Sequence, residues 1–198
     1  MLKKTLLLLF SVFIYCTALA QSADTVYNQY LDFNLAKLQG EQDKVQELGE
    51  AILPRADKLP EKARINFYFS VGKMYEDNDQ PDKAVVYYEK VAAAVPDYYV
   101  VHRALGYLYL AKSNRVAKQL NASGNDKVMN TQLHTAYVNA VKKALPHLEK
   151  AEACDHTDET LEIIKNLYKG INDLSGLNSL NNRLNALSKN CIDILTDK

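Results

Sequence analysis

The chain has 198 residues, and its 24 basic and 24 acidic side chains cancel. That balance, with no dense basic cluster, argues against a nucleic-acid partner, which needs a basic face for its phosphates, and against an anionic membrane surface. Seven glycines and five prolines are few for this length. They fall mostly between periodic segments, and no stretch sustains the alternation a half-buried strand requires, so the chain reads as all-α.

Residues 1–20 read as a signal peptide. Lys3 and Lys4 open it, an apolar run follows from Leu6 to Tyr15, and Ala18-Leu19-Ala20 supplies the small-x-small end that signal peptidase reads. The competing reading is a retained anchor, but the run is short for a bilayer and no other stretch approaches that length. Cys16 follows Tyr15, with Phe13 before it, where a lipobox wants a small residue and Leu, so lipidation is not expected. The expected product is an exported protein, periplasmic or extracellular, with no integral membrane segment. It has 178 residues carrying 22 basic and 24 acidic groups. No Ser-, Gly- or Pro-rich linker divides residues 21–198, which are expected to form one domain.

A first helix is expected after Asp24, carrying Tyr27, Leu31, Leu35 and Leu38 on one face, the candidate core face, with Gly40 at its end. A second starts near Glu41, with Val45, Leu48 and Ile52 inward, and breaks at Pro54; Pro60 closes that hairpin. The third spans about 62–77, and Pro81 suits the first turn of a fourth that ends near Ala94. The fifth runs over about 97–120, the segment 121–126 is a turn by composition, and the sixth covers about 127–153 with a kink at Pro146. A seventh lies near 158–171. The last begins near Leu174 and carries Leu177, Leu180, Leu184, Leu187, Cys191 and Leu195 on one stripe. These make four hairpins.

Two pentapeptides match: VGKMY at 71–75 and LGYLY at 105–109, with Gly72 and Gly106 34 residues apart. After the first come Ala84, Tyr88 and Val91; after the second, Ala144, Leu148 and Ala151, again spaced four and three. Glycine inside a helix costs about 1 kcal/mol relative to alanine, so its recurrence asks for an offsetting contact. Gly72 and Ala84, like Gly106 and Ala144, are expected where two helices of a hairpin cross, with Tyr75 and Tyr109 filling the space the small residues open.

On these residues the chain resembles the tetratricopeptide repeat family, whose 34-residue unit is a helical hairpin. Tyr68, Val71, Gly72, Tyr75, Ala84, Tyr88, Val91 and Pro96 fall at the family's offsets. The resemblance implies an α-solenoid: a cap hairpin at 21–64, a unit at 65–98, a unit with a long insertion at 99–156, and a degenerate capping unit at 157–198. It also resembles secreted bacterial proteins of this family. Gly106 to Ala144 spans 38 residues where Gly72 to Ala84 spans 12, so the second hairpin gains 26 residues, about three turns per helix or roughly 20 Å. The family lines a concave groove with the first helix of each unit. By that resemblance Asn66, Lys73 and Arg103 would hold a peptide's carboxylate or backbone, and Phe69 and Tyr107 would act as apolar platforms. The alternative is a groove covered by the N-terminal hairpin or the long second unit.

Reactive constellations are scarce. Cys154, Asp155, His156 and His147 could be drawn as a metal site, but structural zinc wants four soft ligands at hairpin spacing, and no metal or cofactor is expected. Cys154 and Cys191 lie 37 residues apart, close to one repeat, so a disulfide across neighbouring levels competes with Cys191 as a small buried hydrophobe. Ser70 and Lys73 spell S-x-x-K without the further elements that chemistry requires. Glu149/Glu152 and Asp158/Glu159/Glu162 read as solvated helix faces. The expectation is a non-catalytic adaptor outside the cytoplasm binding a protein or peptide; an envelope-assembly or secretion component and a groove-based hydrolase are the alternatives.

Overall fold

The computed structural model describes residues 25–196, so the signal-peptide assignment lies outside the described residues. Helix α1 covers 25–39, followed by α2 (Gln42–Ile52), a 3-10 helix (Leu53–Lys58), α3 (Glu61–Asp77) and α4 (Pro81–Ala94). Then come α5 (Tyr99–Ala122), α6 (Lys127–Cys154), α7 (Asp158–Gly170), α8 (Leu174–Asn178) and α9 (Leu180–Leu187). The described residues contain no strand, only an isolated parallel bridge between Tyr98 and Ile192. None of their helices is long and apolar enough to cross a membrane. The chain divides into two compact units, 25–74 with Thr196 and 75–195, the boundary falling inside α3.

In the first unit, α1 ends where Gly40 takes φ +73° and the Glu41 amide bonds back to the Ala36 carbonyl at 3.0 Å, the wrap that a left-handed glycine permits. The face of α1 that enters the core is not the expected one. Val26, Tyr30, Phe33 and Ala36 are buried, whereas Leu31, Leu35 and Leu38 are 49%, 49% and 86% exposed and Tyr27 is exposed too. This helix is apolar nearly all round, so leucine spacing alone could not choose its inner face. The aromatic residues decide it: Phe33 meets Phe67 edge-on with centroids 5.3 Å apart, and Tyr30 meets Phe67 at 6.3 Å. Such rings bury more area than leucine and gain from the edge-to-face geometry. Val45 and Ile52 of α2 are buried as expected, and Gly49 lies 3.1 Å from the Met74 sulfur when given a Cβ.

The second unit is organised by α5 and α6, 24 and 28 residues long against 14 for α4. At 1.5 Å per residue they reach about 36 and 42 Å, so the insertion lengthens both helices of one hairpin. The α6 helix continues through Pro146. Val101, Leu105, Val141, Ala144, Leu145 and Leu148 form the seam near the ends of the pair, all buried. A Cβ on Gly106 would sit 2.7 Å from Leu148 Cδ2 and 3.1 Å from the Leu148 amide nitrogen. The glycine is therefore a point of close helix approach, one turn along α6 from the expected partner Ala144. Of the remaining residues assigned to the repeat core, Tyr75, Ala84, Tyr88 and Tyr109 are buried, as is Gly72, and Tyr68 is half-buried.

The C-terminal helix is shorter than expected. It breaks at Ser179 and ends at Leu187 rather than continuing to Leu195. Asn and Ser crowd this stretch, and their side chains compete with helical hydrogen bonds. Tertiary partners then take the chain over: the Lys150 ammonium donates to the carbonyls of Leu187, at 3.2 Å, and Asn190.

Candidate functional site

The five proposed groove residues separate between the units. Asn66, Phe69 and Lys73 lie on the first-unit part of α3, Asn66 and Phe69 half-buried and Lys73 exposed. Arg103 and Tyr107 lie on α5 in the second unit, and both are engaged by the following hairpin. Arg103 pairs with Asp155 and stacks over the Tyr99 ring at 5.5 Å. The Tyr107 hydroxyl meets the Thr160 hydroxyl at 3.0 Å. Ser70 accepts a hydrogen bond from Lys37 of α1.

A different part of the second unit forms a concave site. Where the start of α4 meets the middle of α5 and α6, Pro81, Asp82, Val85, Leu108, Tyr109, Lys112, Arg115 and Lys143 enclose a cleft of about 180 Å³. A wider depression shares Pro81, Asp82 and Arg115 with it and adds Asp79, Gln80 and Lys83. Lys112 and Arg115, three apart, project from one face of α5. The Lys143 ammonium stands 5.4 Å over the Tyr109 ring. One carboxylate faces these three cations: Asp82, well exposed and 3.8 Å from the Lys112 ammonium. Proline occupies the first turn of α4 and no side chain caps its amides, so the positive end of the helix dipole adds to the same field. The floor, from Val85, Leu108 and Tyr109, is apolar. Such a surface can hold an anionic group beside an apolar one.

Beneath the floor lies a polar cluster, part-buried with Glu89 at its open end, that joins three helices. The Tyr109 hydroxyl donates to Glu89 of α4 at 2.8 Å. His147 of α6 stacks on the Tyr109 ring, places Nε2 3.7 Å from the same carboxylate, and shares a 2.9 Å hydrogen bond between Nδ1 atoms with His102 of α5. Burial pushes the His102 pKa down to about 4, helped by the neighbouring His147 ring, and burial lowers His147 too. Burial and then the Glu89 carboxylate raise Tyr109 above the usual phenol range. Both imidazoles are thus held neutral, one proton bridging them, and the Tyr109 hydroxyl is committed. This cluster fixes the floor; it presents no nucleophile to the cleft.

A second polar cluster joins α6, α7 and α9 through Glu149, Tyr168 and Arg183. Arg183 grips Glu149 through two 2.8 Å bonds while also donating to the Tyr168 hydroxyl at 2.7 Å, and that hydroxyl donates to Glu149. Glu149 and Glu152 are 3% and 2% exposed, which corrects their reading as a solvated face; Asp158, Glu159 and Glu162 are exposed. The local pattern of α6 could not show this, because the cation for Glu149 comes from 34 residues away. Glu152 accepts from the Thr157 amide at 3.1 Å and pairs with His156. Lys150, 5% exposed, binds Asp97 at 2.8 Å.

Cys154 and Cys191 form a disulfide, S–S 2.12 Å, so the drawn metal set of Cys154, Asp155, His156 and His147 is dispersed among separate partners. Cys191 is exposed rather than part of a leucine stripe. The same segment buries Tyr98, whose neighbour Tyr99 donates its amide to the Ile192 carbonyl at 3.1 Å. Burial raises the Tyr98 phenol to about 12. No family model, curated protein or solved structure matches the chain.

Proposed function

We propose that the chain is a non-catalytic protein-interaction scaffold, exported by its leader to the periplasm or exterior, with a tetratricopeptide-like stack of hairpins. The observation that carries the reading is the outer part of the α5–α6 hairpin. No residue from 114 to 139 is buried, although both helices are continuous there. Val116, Leu120, Leu133 and Val138 are half-buried between the two helices, and Val128 and Met129 at the turn are 69% and 48% exposed. A helix pair gains most of its stability from packing, so an arm with no core of its own is a surface offered to something else.

The stacked arrangement is supported by a recurrence. A tyrosine on the first helix of one hairpin bonds a glutamate on the second helix of the hairpin before it, twice: Tyr109 to Glu89, 20 residues apart, and Tyr168 to Glu149, 19 apart. Near-equal separations are what equivalent joints of successive levels would give, and repeat surfaces of this kind recognise partners without any reactive residue.

The test uses the mature chain, 21–198, as bait on extract of the native envelope, beside a variant in which residues 117–136 are replaced by a short turn. A protein captured by the first, cross-linked to its arm, and lost from the second at unchanged helix content supports the reading. Capture unaffected by removal of the arm, or substrate turnover abolished by one point change, overturns it.

A further inference from the structure

We propose that the cleft at the base of this arm binds a carboxylate-bearing segment of a peptide, an acidic side chain on the rim and an apolar neighbour on the floor. The inference rests on the scaffold reading and names its ligand chemistry. Three cations from two helices, Lys112, Arg115 and Lys143, line one cleft of a chain whose mature part carries slightly more acidic than basic groups. Their charge is not spent internally. Arg115 makes no ion pair or hydrogen bond among the described residues, and Lys112 has only the 3.8 Å approach to an Asp82 that is 87% exposed. Arg115 presents a planar fork suited to a carboxylate, and Lys112 and Lys143 are mobile point charges beside it.

The floor sets the second half of the specificity. Tyr109 cannot turn its hydroxyl into the cleft, because that group is bonded to Glu89 and braced by the stacked His147 ring; with the Lys143 ammonium over the ring and the residue 6% exposed, it gives the site only a narrow apolar face. Val85 and Leu108 extend that face. A bare phosphate would leave this floor unused and would find no ring of converging amides. An extended acidic segment uses both, and the wider depression past Arg115 gives its chain a way out. Rim charges of this kind act mostly on encounter rate and salt dependence, while an apolar contact at the centre holds the complex.

The probe is a fluorescein-labelled hexapeptide alternating glutamate and leucine, titrated by anisotropy with the mature chain; its lysine–leucine counterpart and inorganic phosphate serve as comparisons. The variants are Arg115→Glu with Lys143→Glu, and, as a control of equal charge change away from the lining, Lys118→Glu with Lys142→Glu. All four positions are exposed, so the fold should survive, as thermal melting will show. Expected is binding of the acidic peptide alone, weakened at least about tenfold by the lining variant, clearly less by the control, and steeply by salt. Equal binding by the lining variant, equal losses in both variants, displacement by phosphate at the peptide's own concentration, or no binding of the acidic peptide overturns the assignment. Should the lining variant still capture the envelope partner while arm removal abolishes capture, only the cleft falls and the scaffold reading stands.

Discussion

The two halves of the α5–α6 hairpin are built from the same two helices, yet they are held together by different means. Near the helix ends, Gly106 lets Leu148 approach, and Glu89, His102, Tyr109, His147, Glu149 and Arg183 knit neighbouring helices through part-buried polar contacts. Beyond residue 113 that apparatus thins out: no residue from 114 to 139 is buried, and the two helices pack mainly on each other, with Tyr137 beside Gly170 of α7 and Arg115 facing the start of α4. Continuity of the backbone carries the arm outward, while tertiary packing is concentrated where α5 and α6 meet α4, α7 and α9. The cleft lies at that transition, with a braced floor on one side and the less packed part of the helix pair on the other.

The difference can be broken first on the packed side. Glu149→Ala strands Arg183 beside Tyr168 and removes the acceptor of two 2.8 Å bonds. Losing one partner of a buried pair costs about 3–5 kcal/mol, to be read from urea denaturation, whereas Gln132→Ala on the exposed arm should stay within about 0.5 kcal/mol. Similar values for the two would mean the joint is not the packed centre. Next, Gly106→Leu drives a side chain into Leu148 and should cost about 1–3 kcal/mol or more through overpacking. Gly124→Ala, at φ +61° in the arm's turn with open space around it, should cost about 1 kcal/mol through backbone strain alone.

The imidazole pair sharpens the same contrast through pH. With its folded pKa near 4 against an ordinary 6.5, His102 binds fewer protons folded than unfolded between those values, and His147 shifts in the same direction. Stability should therefore fall as pH drops from about 6.5 to 4, and level off below. The melting temperature of His102→Asn with His147→Asn should depend less on pH across that window; an unchanged slope would place the titration elsewhere. The smallest effect is expected at the tip, where Val128→Ser with Met129→Ser should move stability by no more than about 0.5 kcal/mol, because both side chains keep about half or more of their surface in water.

How much of this was legible in the sequence depended on whether a residue's role is local. Most helix boundaries up to α7, the turn at Gly40, the lengthening of one hairpin and the small residue at 106 follow from spacing and backbone chemistry that neighbours reveal; the end of the C-terminal helix does not. The inner face of α1 does not, since Leu31, Leu35 and Leu38 repeat as regularly as Tyr30 and Phe33, and only the distant Phe67 ring decides between them. Glu149 reads as solvated for the same reason, since its cation arrives from Arg183, whereas His156 and Thr157, the partners of Glu152, are close in sequence and reach it only through the turn that follows α6. The cleft was invisible as well, being assembled from three helices whose cations are spread over residues 112–143 among many other exposed lysines.

Hydrogen exchange resolved along α5 and α6 tests the contrast between joint and arm most directly. The amides of residues 101–110 and 140–151 should open only with global unfolding, and those of 114–136 should exchange faster by orders of magnitude through local opening. Uniform protection from one end of the hairpin to the other would contradict the account.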